Sequence, residues 1–112
     1  MYAALFEMNS WMGLAQYIIC GSSAAELLKG FEKIQNLRCL VRMGRSEEGA
    51  KGKKMLDKLE GILNKRDNGD LTNADLLTLN IKISIGTIKC VEIVEGENAA
   101  DRLKAKYPNA RG

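Results

Sequence analysis

A chain of 112 residues that is 46% hydrophobic and 28% charged has the length of one domain and the composition of a folded soluble protein. Its net charge of +3 is modest, and it contains no histidine, which removes His general-base catalysis, Ser-His-Asp and Cys-His nucleophile pairs, and every His-containing metal site. The three cysteines, Cys20, Cys39 and Cys90, are widely spaced and form no CxxC, so no zinc knuckle or dithiol motif is supported and reduced thiols in a cytoplasmic protein are expected.

Most of the aromatic residues fall in residues 1–20. Tyr17-Ile18-Ile19-Cys20 is a short apolar run with strand character, ended by Gly21; a helix continuing from Ser10 is the competing reading. The first basic residue is Lys29, so no positive segment of a secretory signal is present, and the apolar stretch 11–20 is too short to span a bilayer. No membrane association is expected.

Ser23-Ala24-Ala25-Glu26 is a capping box, in which the hydroxyl satisfies the Glu26 amide and the carboxylate reaches back. It predicts a helix through Leu27, Leu28, Phe31 and Ile34 that stops at Asn36. Residues 37–43, Leu37 to Met43, alternate imperfectly and end at Gly44; a strand is expected, with helix as the rival.

Residues 45–66 read as a helix from near Ser46. At helical spacing Met55, Leu56, Leu59, Ile62 and Leu63 share one face, Lys51, Lys54, Lys58 and Lys65 form a stripe on its flank, and Asp57 and Glu60 lie on the other side. Glu47 and Glu48 suit the helix start and Lys65 and Arg66 its end, while Gly49, Gly52 and Gly61 weaken it by up to ~1 kcal/mol each.

Asp67-Asn68-Gly69-Asp70 is a turn, with a helix cap at Thr72 or Asn73 after it. Leu77, Leu79, Ile81, Ile83 and Ile85 then alternate strictly with polar residues, the strand period. Gly86-Thr87 fits a two-residue type II′ turn, returning through Ile88 to Val94. That register sets Ile85 against Ile88, Ile83 against Cys90 and, less comfortably, Glu92 against Ile81. A last short helix starts near Glu97, shows Leu103 and Tyr107 on one face and stops at Pro108. The order β-α-β-α-β-β-α describes a single compact α+β domain, residues 1–112, with a C-terminal antiparallel hairpin and last helix. The alternative is an all-α bundle in which residues 73–94 form one helix.

That order is also the order of thioredoxin-like folds, and Cys20-Gly21-Ser22-Ser23 resembles the CGFS-type motif of monothiol glutaredoxins. The resemblance covers four residues and implies a reactive thiolate on Cys20, stabilised by a helix N-terminus. The family also places a cis-proline beside that cysteine, whereas the one proline here is Pro108. Read without the resemblance, Cys20 closes a buried strand as a small apolar residue. Residues 64–75 resemble an EF-hand or dockerin loop, with Gly69, Leu71 and Asp75 in register, but Asn64 and Arg66 stand where anionic ligands belong, so no metal is expected. Neither GxGxxG nor a P-loop occurs, and Gly49-Ala50-Lys51-Gly52-Lys53-Lys54 lacks the spacing of one. Asp67 and Asp70 share a turn with nothing beside them to make an acid/base pair. No cofactor is implied.

The charge excess is local. Residues 42–66 hold eight Lys/Arg and four Asp/Glu, and the remainder is nearly balanced. The expected function is that of a small non-enzymatic binding or regulatory protein. Lys51, Lys53, Lys54, Lys58, Lys65, Arg45 and Arg66 would contact an anionic surface, either nucleic-acid phosphates or the acidic face of a protein. Two alternatives are a thioredoxin-like thiol protein using Cys20, and a protein inhibitor or structural homodimer subunit paired through the edge of the hairpin.

Overall fold

The structure, a computed structural model, describes residues 1–112. Its chain runs β1 (Tyr2–Ser10), β2 (Gly13–Gly21), α1 (Ala24–Glu32), α2 (Leu37–Glu47), α3 (Ala50–Asp67), α4 (Asn73–Leu77), β3 (Asn80–Ile83), β4 (Gly86–Glu95) and α5 (Ala99–Lys106). All four strands form one antiparallel sheet in the order β2-β1-β4-β3. The domain is α+β, with the expected C-terminal hairpin and last helix, and the sheet excludes the all-helical bundle.

Helices cover both faces of the sheet. On one face, α1 to α4 pack over Ala4, Phe6, Ile81, Ile83, Ile88 and Cys90. There Phe6 and Phe31 stack with ring centroids 4.4 Å apart. On the other face, Leu103 and Ala99 of α5 cover Ala3, Leu5 and Ile18. This double covering explains β1, a strand absent from the sequence expectation. Ala3, Ala4, Leu5 and Phe6 are all buried, so the central strand has no alternating pattern to read.

Residues 37–43 are helix, not strand. Asn36 does not merely stop α1; its side chain accepts the Cys39 amide at 3.0 Å and caps α2. Leu37, Leu40, Val41 and Gly44, spaced i, i+3, i+4, i+7, are the buried residues of α2. The expected helix over 45–66 is thereby divided: α2 ends at Glu47, the backbone extends at Glu48 and Gly49, and α3 begins at Ala50. The two halves pack against each other, and a Cβ on Gly44 would lie 2.6 Å from Leu56 Cδ1.

Ser23 caps α1 through the Glu26 amide, as expected, while the Glu26 carboxylate reaches Ser22 instead of Ser23. That Ser22 amide, then the Ser22 hydroxyl, holds the Glu26 carboxyl below its usual range. Thr72 and Asp75 close a full capping box on α4. The C-terminal hairpin turns two residues earlier than expected, at Ser84-Ile85, which pairs Ile81 with Ile88 and Ile83 with Gly86. Each partner moves by four residues, an even number, which keeps Ile81, Ile83, Ile88 and Cys90 on one face. Gly86 has φ +145°, and a Cβ there would strike the Asn9 carbonyl of β1, so this glycine serves strand packing and not the turn. Glu92 does change face: a bulge in the β1–β4 register, between Leu5 and Phe6, leaves Val91 without a partner and sets Glu92 opposite Leu5, on the α5 face. There it accepts the Tyr107 hydroxyl at 2.5 Å and pairs with Lys106 at 2.9 Å. These two contacts, the Tyr107 hydroxyl first, hold its carboxyl below the usual range.

Candidate anionic-partner interface

The apolar face of α3 is where its sequence puts it: Leu56, Leu59, Ile62 and Leu63 are buried and Met55 is half-buried. That docking decides which basic residues remain available, and the seven candidates divide into two groups.

Three are committed to the protein itself. Arg66 lies in the middle of the apolar face; it is 9% exposed, and its guanidinium is held between Glu32 of α1 and Asp67. Lys65 pairs with Asp75 of α4 at 3.1 Å. Arg45, on α2, reaches Asp57 at 2.9 Å and Glu60 at 3.0 Å, and that pairing, Asp57 first, raises its pKa. Arg45 is therefore engaged with the two acidic groups on the far flank of α3, Asp57 and Glu60, and offsets one of their two charges.

The other four, Lys51, Lys53, Lys54 and Lys58, are exposed and take part in no ion pair. Lys51, Lys54 and Lys58 follow one another along the helix, while Lys53 projects from a different side. At the start of α3 Gly49 supplies no side-chain cap, and the Glu48 carboxylate lies over the first turn, against Gly52.

Lys82 of β3 joins them. It is exposed and unpaired, and with Lys51 and Lys54 it lines an open groove of about 630 Å³ between the start of α3 and the end of β3. In the sequence Lys82 is only a polar residue in an alternating strand, the usual mark of a solvated edge; the pairing that brings β3 beside α3 is not local. Glu48 also borders this groove. Its carboxylate accepts the Ser84 amide at 3.0 Å and the Ser84 hydroxyl, tying the α2–α3 corner to the β3–β4 turn.

Cys20 stands exposed near the end of β2, not buried as the sequence suggests. The strand that should follow the first helix of a thioredoxin-like fold is α2, so the β-α-β opening of that fold is absent. The anion position at the start of α1 is taken by the Glu26 carboxylate through Ser22. Cys90 is buried, and that burial pushes its thiol up to about 12. In the calcium-like segment, Asp75 caps α4 and pairs with Lys65, while Asn64, Lys65 and Arg66 belong to α3.

Compared with protein-family models, curated proteins and solved structures, the chain matches none. No helix is long and apolar enough to cross a membrane.

Proposed function

We propose that this is a small non-enzymatic binding or regulatory protein that occupies an anionic macromolecular surface, using Lys51, Lys53, Lys54 and Lys58 of α3 together with Lys82 of β3. The observation that carries this reading is the sorting of charge on α3. The basic residues at its C-terminal end are neutralised by Glu32, Asp67 and Asp75, and those in its N-terminal half have no internal partner. Ammonium groups gathered at one site and engaged in no ion pair raise the local concentration of an anionic partner and speed its docking.

The test is fluorescence anisotropy with labelled double-stranded RNA, double-stranded DNA, single strands and polyglutamate at rising salt. Binding to a polyanion should fall log-linearly with salt, the nucleic-acid slope counting the phosphates neutralised at roughly 0.9 per contact. The Lys51→Ala/Lys54→Ala/Lys58→Ala variant should fold normally and lose most of this binding. Absence of binding to every probe at low salt, or unchanged affinity of the triple variant, overturns the proposal.

A further inference from the structure

Strand pairing gathers exposed apolar residues next to these lysines. Ser10, the last residue of β1, pairs with Gly13 of β2 and with Gly86 of β4, and Gly86 pairs with Ile83 of β3. The Trp11-Met12 turn and the Ser84-Ile85 turn therefore lie side by side at one end of the sheet. Four large apolar side chains stand in solvent there, Trp11 90% exposed, Met12 78%, Leu14 57% and Ile85 54%. Single exposed apolar residues need no explanation, but four from two adjacent hairpins form a patch of the kind that marks an interaction site. A groove of about 390 Å³ opens between the turns, with Met8, Met12, Leu14, Ile85 and Ile88 in its lining. Ile83 borders both this groove and the lysine groove, so the apolar and basic surfaces are continuous.

We infer that this end of the sheet docks an acidic segment of another protein carrying a large apolar side chain. The apolar side chain enters the groove between the hairpin turns, and carboxylates beside it meet Lys51, Lys54 and Lys82. The inference rests on the proposed reading of the lysines and narrows their partner to a protein. An apolar centre containing Trp and Met, with charge at its margin, is the anatomy of a protein–protein interface. A nucleic acid would use the ring of Trp11 for stacking and would gain little from Met12, Leu14 or Ile85, which offer no π face.

Trp11 is the only tryptophan in the chain, so its emission reports directly on this surface. The test selects a displayed library of random twelve-residue peptides against the full chain, then titrates the enriched peptides into the protein. Enriched peptides should combine Asp or Glu with a large apolar residue and shift Trp11 emission to the blue. Their affinity should fall about tenfold or more in Ile85→Ser, the loss expected when a central interface contact is removed. It should also fall in the Lys51→Ala/Lys54→Ala/Lys58→Ala variant, by an amount that shrinks as salt rises. Acidic peptides with no apolar preference, or an Ile85→Ser variant that binds normally, would overturn the inference and leave the polyanion reading standing. A Trp11 response to oligonucleotides and to no peptide would overturn it in the same way. A blue shift on concentrating the protein alone would reassign the patch to self-association, also against the inference. No enriched peptide combined with no polyanion binding overturns both readings.

Discussion

The two ends of α3 have similar sequences and opposite fates. Ala50 to Lys58 carries four lysines and Lys65-Arg66 carries two basic residues. Yet the first group meets no carboxylate, and the second is enclosed by Glu32, Asp67 and Asp75, with Arg38 of α2 adding a 2.6 Å contact to Asp67. The difference is set by what the helix packs on. The C-terminal end lies among α1, α2 and α4, each of which contributes a charged side chain. The N-terminal end lies beside β3 and the β3–β4 turn, where the neighbouring charges are Lys82 and a Glu48 carboxylate occupied by Ser84. Charge on a helix therefore reads as structure or as function only once its neighbours are known.

The largest effect should come from breaking the enclosed end. Arg66→Ala leaves the half-buried Glu32 carboxylate without its partner, and removal of one member of a buried pair costs ~3–5 kcal/mol. Denaturant unfolding should show this loss, whereas binding through the free end, measured on the folded protein, should be unchanged. Equal loss of stability in Lys51→Ala would abolish the distinction.

Next comes the α2–α3 contact that orients both ends. Gly44→Val places carbon where Leu56 Cδ1 now sits, and overpacking of this kind costs ~1–3 kcal/mol. Because the helices must separate to accommodate it, the variant should also disturb the Glu48–Ser84 link and weaken partner binding. A variant with wild-type stability would show that α2 and α3 do not pack as described.

Much of this arrangement is legible in the sequence, and the rest is not, for physical reasons. The apolar face of α3, the helix caps at Ser23 and Thr72, the C-terminal hairpin and the last helix all depend on residues within a few positions of each other. β1 is invisible because helices on both sides bury Ala3 to Phe6, which erases the period of two. Asn36 reads as the end of one helix when it is the start of the next, since the same side-chain chemistry serves both. The lysine stripe is visible, but its division is not. Glu32 and Asp75 lie in other elements, and Lys82 reaches α3 only through the sheet. Arg66 does carry a local signal: at helical spacing it falls between Leu59, Ile62 and Leu63, on the apolar face, where a charged group requires a buried partner.

Acid should separate the two ends without any substitution. The Asp67 carboxyl is held below its usual value by Arg38 first and then by Arg66, and the Asp75 carboxyl by the Thr72 amide first and then by Lys65. A carboxyl whose pKa is lower folded than unfolded contributes stability above the unfolded value, near ~3.9, and loses it as pH falls through the folded value. Glu26 and Glu92 act in the same direction, so global stability also declines. The specific expectation is local. Between about pH 6 and pH 3, amide protection should fall more at the end of α3 and in α4 than in Lys53 to Lys58. Uniform loss along the helix would contradict it.

The smallest effects give the sharpest comparison, because they set two similar residues of one helix side by side. Lys65→Ala removes an exposed ion pair with Asp75, and exposed pairs contribute ~0–1 kcal/mol. It should lower stability slightly and leave polyanion binding intact, since this ammonium is already matched inside the protein. Lys58→Ala removes a charge with no internal partner, so stability should stay within ~0.5 kcal/mol of wild type. Its polyanion binding should weaken, and for a nucleic acid the salt slope should drop by about one contact. If the two variants behave alike in both assays, pairing within the protein does not determine which lysines are free to bind. The stripe would then act as a diffuse field along the whole of α3, from Lys51 to Lys65.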